Sequence, residues 1–581
     1  MKRIILFLAG LLLGLGGMPL FAQNLKGLKE RTPLRVTGGL QMGLQYYQVQ
    51  GIPNRAAPWQ FNTSGRLNFS VMEHFNIPVS FALGQQRPNL RHPVFRQFGL
   101  SPQFKWLTVH AGYRNLYFGR YTLNNHTFLG GGIELNPGKL RVAAMYGRLR
   151  QGLRETEENI DLFFRQPLYN RYAWGAKVGW GSAASHLDFT FFRAEDRDAN
   201  VTLPQQLHLP APAENIILGL NWKQRIGKRI NAFAELAASG YNRNRNSARV
   251  ELEENTSAAL LDRIFPVRYS GQVGLAARGG FNYSHKGFSI GGDYERIDPG
   301  YESMGTYFLN GDWENIRGNL GFGLFRNRLR VQASLGVQQN NLNGQRAETS
   351  RRLIGASFVN LQTSKRSNLG LNYSNFTQDH RPNAQIVFND TLRIASNTQN
   401  LGGNWSVSNA GGEGKNTSTF SISVNAQKTD NNNPFSEGFD DLTTLFGAAT
   451  YNLRLANKTT RFTLSSNITR VELSAQETTG YGGTIGWQQQ LLTNRLQLQL
   501  NNTYNRNTVN GIADGFSNAL RFTLNWSVSK THGLGFNGSW VERNSKNGFG
   551  FQEQRASLTY RLTFPALQLG QARNQLQEVK K

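Results

Sequence analysis

Apolar and polar residues alternate repeatedly along the chain, and this limits the folds open to it. In residues 556–564, Leu558 and Leu562 share one face, whereas Thr559 and Arg561 lie on the other. Successive side chains of a β-strand point to opposite faces, so such a segment has one apolar and one polar side. Residues 187–191, 420–427, 496–505 and 521–528 repeat the pattern.

The connections between these segments alternate between short and long. Outer-membrane β-barrels have short periplasmic turns and longer external loops, an asymmetry that a soluble sandwich does not need. The short connections lie near Gly138, Ser182, Gly227, Lys286, Asn327, Lys365, Gly412, Lys458, Thr493 and Lys530. The long ones cover residues 151–170, 195–213, 241–265, 297–312, 340–349, 377–396, 429–440 and 507–514.

We therefore predict an all-β fold, a large single-chain antiparallel transmembrane β-barrel of about 26 strands. Five candidate strands precede Thr127, namely residues 35–50, 59–71, 77–86, 104–113 and 116–121. If the last two lie in the lumen, the prediction becomes about 24 strands. Residues 87–103 contain three prolines, which a central strand does not tolerate, and are predicted to be a structured loop in the mouth or lumen.

The two ends of the chain predict export and a place in the cell outer membrane. Residues 1–22 have the charged start and short apolar stretch of a secretory signal. Residues 23–34 are predicted to be a periplasmic lead-in, too short for the plug of a TonB-dependent receptor. The barrel is predicted to span 35–564, followed by a periplasmic tail over 565–581 that is frayed or forms a short amphipathic helix.

The chain is strongly basic, with a formal net charge of +27 and no cysteine. Its arginines occur singly at polar positions of alternating segments, which disfavours nucleic-acid binding and favours a basic lumen or loops that touch an anionic surface. Candidate lumen-facing residues are Arg495, Arg521, Glu553, Arg555 and Arg561. Candidate residues of the mouth or lumen segment are Arg87, Arg91, His92 and Arg96.

The sequence predicts no enzyme, cofactor or metal site. Its nine histidines show no i, i+4 zinc spacing with a carboxylate. A hydrolase would need a histidine beside a nucleophile and an orienting partner in space, which spacing does not exclude. His110 and His126 are the two candidates for a catalytic role, although roles in turns or aromatic belts are favoured for them. The acidic stretch 429–441 could bind calcium, but it lacks the EF-hand glycine, and a solvated loop is favoured.

One stretch resembles a known group of proteins. It contains Phe98-Gly-Leu-Ser-Pro102, His110-Ala-Gly-Tyr113, Gly132-Ile-Glu-Leu-Asn-Pro-Gly-Lys139 and Ala144-Met-Tyr-Gly-Arg148. These motifs resemble a largely uncharacterised group of Bacteroidetes-type outer-membrane barrels. The resemblance implies location and architecture and no catalytic residue. The chain departs from the usual barrel pattern because residues follow its terminal aromatic, Phe564.

Two functions remain open from the sequence. The first is a porin-like channel or transport barrel for polar, anionic solutes, motivated by the arginines and the large strand number. The second is a structural or secretion-associated scaffold whose external loops bind a surface protein or polysaccharide. Other expected partners are outer-membrane lipid and the barrel-assembly machinery. Residues 87–103 and 116–125 discriminate between the two functions, because a filled lumen would weigh against a channel.

Overall fold

The computed structural model describes most of the chain from Leu34 to Leu569. The described residues are 34–72, 75–84, 96–152, 169–199, 211–251, 262, 265–383, 394–409, 411, 414–431, 441–457, 459–474, 476–546, 548 and 550–569. The predicted signal and lead-in before Leu34, and the last part of the predicted tail, lie outside them. The described part contains no helix long and apolar enough to cross a membrane.

The described residues form β-strands in one continuous antiparallel sheet. The first group is β1 (Leu34–Gln50), β2 (Trp59–Val71), β3 (Phe75–Gly84), β4 (Arg96–Leu100), β5 (Gln103–Phe104), β6 (Leu107–Tyr117), β7 (Asn124–Leu135), β8 (Leu140–Arg150) and β9 (Tyr169–Gly181). The second is β10 (His186–Ala199), β11 (Glu214–Ile226), β12 (Ile230–Asn242), β13 (Gly271–His285), β14 (Phe288–Ile297), β15 (Trp313–Leu324), β16 (Leu329–Asn340), β17 (Glu348–Ser364) and β18 (Ser367–Pro382). The third is β19 (Ile394–Asn409), β20 (Thr417–Asn431), β21 (Leu442–Arg454), β22 (Thr460–Leu473), β23 (Gln476–Leu491), β24 (Leu496–Val509), β25 (Ile512–Ser527), β26 (His532–Ser545) and β27 (Phe551–Leu569).

The sheet closes on itself, which confirms the predicted barrel. Consecutive strands pair along the chain, and β27 pairs with β1, with Leu558 opposite Leu44 and Arg561 opposite Gln41. β4 and β5 both lie between β3 and β6, so they are two halves of one interrupted strand. Over the described residues the barrel therefore has 26 strands, the predicted number. Closure leaves no unpaired strand edge, which suits a sheet surrounded by lipid.

The alternation of side chains separates an apolar outer face from an inner one. In β9, Trp174, Val178 and Trp180 are 41%, 53% and 62% exposed on the outside. Tryptophans form two outer belts, as expected where amphipathic rings meet the headgroup level. Trp180, Trp222, Trp405, Trp487 and Trp526 lie towards one end of the barrel, and Trp59, Trp174 and Trp540 towards the other.

The ten connections predicted to be short all lie at the same end of the barrel, together with the described termini Leu34 and Leu569. We call this end the short-turn end and the opposite one the long-loop end. One predicted long connection, 507–514, is wrong. β24 and β25 are joined there by Asn510-Gly511, both with positive φ (49° and 77°), because an Asn-Gly pair makes a tight two-residue turn.

Three predicted boundaries near the start of the barrel are also wrong. Residues 96–104 form a wall strand instead of a loop, because Pro102 sits in the break between β4 and β5, where the ladder is already interrupted. The predicted strand 104–113 is shifted and becomes β6. Residues 118–121, predicted to end a separate strand, belong instead to the connection that follows β6.

The closing strand extends beyond its predicted end at Phe564. β27 continues to Leu569 and pairs with the first residues of β1, with a register shift between Val36 and Gly38. Pro565 lacks the N–H that a regular ladder needs, and Gly38 has a φ of +138°, so a bulge accommodates the proline. The first part of the predicted tail is therefore barrel wall.

Candidate functional site

Among the described residues, two connections of the long-loop end fold inward. We call residues 118–123 the first inward segment and residues 298–312 the second inward segment. Phe118, Tyr121 and Leu123 of the first are almost fully buried, as are Tyr301 and Met304 of the second. The sequence left open whether residues 116–125 fill the lumen or join the wall. Leu116 belongs to β6 of the wall, whereas the first inward segment lies inside the barrel.

The inward segments pack on the inner face of one side of the barrel. The wall residues in this apolar cluster belong to consecutive strands, and their outward neighbours, such as Tyr146 and Leu236, are about half exposed. Since neighbouring residues of a strand point to opposite faces, the cluster lies within the lumen. Its wall members are Leu116, Phe128, Ala143, Met145, Leu149, Ala173, Phe192, Ala194, Ile217, Ala237, Ala276 and Ile297.

Hydrogen bonds join the two inward segments to each other. The Tyr301 hydroxyl donates to the Tyr121 carbonyl oxygen at 2.9 Å, and the Ser303 hydroxyl donates to the Thr122 carbonyl oxygen at 3.0 Å. These bonds satisfy carbonyl groups that the barrel ladder does not reach. The segments therefore form one unit rather than two independent loops.

His126, one of the two histidines singled out from the sequence, contacts the second inward segment. Its ring stacks on that of Tyr307 with centroids 3.9 Å apart. The Tyr307 hydroxyl accepts a hydrogen bond from the backbone N–H of Thr127 at 3.0 Å. His126 thus takes part in packing this segment against β7.

A charged network fixes the first inward segment to the wall. The Arg120 guanidinium donates to the Glu295 carboxylate from Nε to Oε1 at 2.8 Å and from Nη2 to Oε2 at 3.3 Å. The Tyr121 hydroxyl donates to the same carboxylate at 2.7 Å, and the Arg120 backbone N–H donates to Glu235. Burial raises the pKa of the Tyr121 and Tyr301 phenols above their ordinary value, so both remain donors at neutral pH. Paired, charge-assisted bonds of this kind are stronger and more directional than neutral ones.

Asn215 of β11 fixes the second inward segment. Its Oδ1 accepts from the Met304 backbone N–H at 3.1 Å, and its Nδ2 donates to the Ser239 hydroxyl at 2.9 Å. Ser239 donates in turn to the Glu302 carbonyl oxygen at 2.6 Å. Asn215 is fully buried, so every one of these bonds replaces a lost bond to water.

Glycine allows the second inward segment to approach the wall. A Cβ at Gly274 of β13 would lie 2.3 Å from the Tyr301 backbone nitrogen. A Cβ at Gly305 would lie 2.2 Å from the Thr122 carbonyl oxygen. Both contacts are with backbone atoms, which cannot rotate away, so these two positions require glycine for the inward arrangement.

The inward segments line one side of a wide lumen. At the usual spacing and tilt of strands, a 26-strand barrel of circular section measures about 50 Å between opposite backbones. The apolar cluster is built on β6–β14, with Trp313 of β15 packed against it. The segments therefore narrow the lumen from the β6–β15 side.

The inner face of the remaining wall is polar. Register pairs across β16–β26 place amide and hydroxyl side chains on the face opposite the exposed apolar ones. These inner residues include Gln332, Ser334, Asn372, Ser374, Asn400, Asn404, Asn425, Asn467, Asn505 and Asn525. Uncharged polar groups on a wide curved wall are what a hydrated interior holds.

The charged residues singled out from the sequence occupy different places. Arg521, Arg555 and Arg561 lie on the inner face, opposite lipid-side neighbours such as Leu558. Glu553 is buried and binds the Arg555 Nε through Oε1 at 2.7 Å, and its Oε2 accepts from the Tyr47 hydroxyl at 3.3 Å.

The other predicted residues do not join this group. Arg495 is the last residue of the turn between β23 and β24, so it lies at the short-turn rim rather than within a strand. Arg96 begins β4 in the wall, because the residues predicted as a loop pair with β3. Arg87, Arg91 and His92 lie outside the described residues, as does most of the acidic stretch 429–441. Among the residues described, no group of three or more His, Cys, Asp or Glu could hold a metal ion.

Sequence reasoning missed the second inward segment, since it treated residues 297–312 as an external loop. Its apolar residues Tyr301, Met304 and Leu309 are a signal for burial, here against the inner wall. Residues 151–170 carry apolar residues at a similar density, so composition alone does not single this segment out.

Comparisons with known proteins return outer-membrane structures at low similarity. Neither the family models nor the curated proteins give a match. Among solved structures, Pseudomonas aeruginosa OccK8 (OprE) is 12% identical with a TM-score of 0.30, over 59% of this chain and 94% of its own. The outer-membrane channel DcaP of Acinetobacter baumannii is 12% identical with a TM-score of 0.30, over 50% and 87%. The FrpB iron transporter of Neisseria meningitidis (F5-1 variant) is 10% identical with a TM-score of 0.35, over 90% and 81%. These values are too low to transfer a substrate or an activity to this chain.

Proposed function

We propose that the protein is an outer-membrane channel for polar solutes with a preference for anions, narrowed on one side by its two inward segments. The closed barrel and its apolar outer face support a place in a membrane. The observation that carries the channel is the polar inner face of β16–β27, which bears arginines between amides and hydroxyls. The short-turn end then faces the periplasm and the long-loop end the cell exterior.

The arginines supply the preference for anions. Within the described residues, Arg521 and Arg561 form no ion pair with a carboxylate, whereas Arg555 is neutralised by Glu553. Unpaired positive charge on a wall beside low-dielectric lipid attracts anions and raises their local concentration. Arg521 and Arg561 are therefore two residues expected to contribute to the selectivity.

Removing these two charges should weaken the preference without harming the barrel. We expect the variant Arg521→Gln/Arg561→Gln to admit anionic and neutral solutes of equal size at more similar rates than the wild type does. The measurement is swelling of liposomes that contain the purified protein. Arg521→Lys/Arg561→Lys keeps the charge and is the matched control. Equal swelling ratios in the wild type and the glutamine variant would contradict the assignment.

A second function is favoured by exposed aromatic side chains in the long-loop connections. Phe308 is 97% exposed and Tyr269 is 76% exposed. Large aromatic rings left in water are typical of surfaces that bind a partner. In this alternative the barrel is a scaffold that holds a surface protein or polysaccharide. Affinity capture from detergent-solubilised membranes tests it: a stoichiometric partner lost in Phe308→Ala/Tyr269→Ala supports the scaffold, and capture of the barrel alone excludes it.

A further inference from the structure

His110 lies between a hydroxyl and a carboxylate on the inner wall. Its Nδ1 is 2.9 Å from the Ser101 Oγ, and its Nε2 is 2.9 Å from Oε1 of Glu134. The His110 side chain is 10% exposed and that of Glu134 is 35% exposed. A nucleophile, a base and a group that orients the base thus stand in hydrogen-bonding order.

The barrel wall brings these residues together from three strands. Ser101 occupies the break between β4 and β5, where its backbone N–H donates to the Pro78 carbonyl oxygen at 3.0 Å. His110 is in β6 and lies opposite Gly132, two residues before Glu134 in β7. The break frees Ser101 from the regular ladder, and its side chain turns towards His110.

The tautomer of a neutral His110 ring follows from its two hydrogen-bond partners. The Glu134 carboxylate can only accept, so the neutral His110 ring carries its hydrogen on Nε2. Its Nδ1 then presents a lone pair to the Ser101 hydroxyl, which donates to it. A histidine placed in this way can remove a proton from serine while the carboxylate stabilises the resulting imidazolium, with the two ring nitrogens in exchanged roles compared with the Ser-His-Asp triad.

Arg114 places a positive charge beside the serine. Its Nη2 is 3.5 Å from the Pro78 carbonyl oxygen that also accepts from the Ser101 backbone N–H. Its Nη1 donates to Ser80 at 2.7 Å, whereas its buried Nε has no hydrogen-bond partner among the described residues. The guanidinium supplies a fixed positive charge that would favour an oxyanion forming nearby, although its Nε is enclosed by the wall.

We propose that Ser101, His110 and Glu134 form a hydrolytic site on the lumen wall, near the short-turn end, for carboxylic esters of small polar molecules that enter the barrel. Ser101 Oγ attacks the ester carbonyl carbon while its proton passes to His110 Nδ1. The tetrahedral intermediate expels the alcohol, which takes that proton, and leaves an acyl group on Ser101. Water then attacks the acyl carbon with His110 as base, releasing the acid and restoring the serine.

The test uses the full-length folded barrel in detergent micelles with two probes, p-nitrophenyl acetate and a fluorophosphonate. We expect ester hydrolysis and a covalent adduct that mass spectrometry maps to Ser101. Ser101→Ala should lose both. His110→Gln should slow both by about 100-fold or more, the usual contribution of a general base. Glu134→Gln, which can accept but carries no charge, should retain adduct formation at a lower rate.

Two controls separate chemistry from folding. Ser539→Ala removes another inner-face serine and should leave both readouts unchanged. Heat-modifiable migration in electrophoresis reports that each variant is folded. A folded wild-type barrel with no adduct at Ser101 would overturn the proposal. So would a folded His110→Gln barrel that is labelled as fast as the wild type, because a purely structural histidine would not change the reactivity of the serine.

Discussion

Replacing Glu295 by alanine is expected to release the first inward segment and to increase the conductance of the barrel. Glu295 accepts two hydrogen bonds from Arg120 and one from Tyr121. Tyr121 is fully buried, so its hydroxyl would lose its acceptor without gaining water, at a cost of about 1–3 kcal/mol. Arg120 is partly exposed, so water can replace its bonds to Glu295. Release of the segment is therefore easier than keeping it in place with an unpaired Tyr121 hydroxyl. Single-channel recording in planar bilayers measures the change.

Two further variants show whether the conductance reports the inward segments. Glu295→Gln keeps an acceptor for Tyr121 but loses the charge, and should have an intermediate conductance. Gly274→Ala puts a methyl group against the Tyr301 backbone and should displace the second inward segment, whereas Gly279→Ala on the same strand meets its nearest atom at 3.6 Å and should behave as wild type. Wild-type conductance in both Glu295→Ala and Gly274→Ala would show that the segments do not narrow the path.

Replacing Leu558 by arginine is expected to be the most damaging single change in the closing strand. Leu558 lies on the outer face, opposite Leu44 on one neighbour and Phe536 on the other, and is 48% exposed. An arginine facing lipid near the bilayer midplane costs about 2–4 kcal/mol. Urea titration of folded barrel in lipid vesicles measures this loss.

Thr559→Arg is the matched control, since the adjacent residue faces the lumen. The new side chain there lies beside other inner-face polar groups and stays hydrated, so its effect should be within about 0.5 kcal/mol. Equal destabilisation by Leu558→Arg and Thr559→Arg would contradict the assignment of the two faces.

The architecture could be predicted because it depends on local patterns. Alternation along residues such as those of β20 and β24 identifies strands, and the asymmetry of the connections orders them into a barrel. Together they predict about 26 strands, although the prolines of residues 87–103 predict a loop where residues 96–104 form a wall strand. Two errors in the strand count cancel. Residues 116–121 are predicted as a strand but do not form a separate one, and residues 96–104 are predicted as a loop but form a wall strand.

The candidate sites depend on contacts between residues far apart in the chain. Arg120 meets Glu295 of β14 only because the connection after β6 folds inward and reaches across the wall to that strand. His110 was singled out by its motif, but its neighbours Ser101 and Glu134 are set by strand register and by the break at Pro102. Spacing in the sequence does not encode register, so neither network could be read from it.

The reversal potential of the wild-type barrel in a planar bilayer under a potassium chloride gradient tests the central claim most directly. A wide lumen lined by amides, hydroxyls and the positive charges of Arg521 and Arg561 should conduct, and its reversal potential should lie towards the chloride equilibrium potential. A correctly folded barrel that does not conduct, or one whose reversal potential lies towards that of potassium, would contradict a channel that prefers anions.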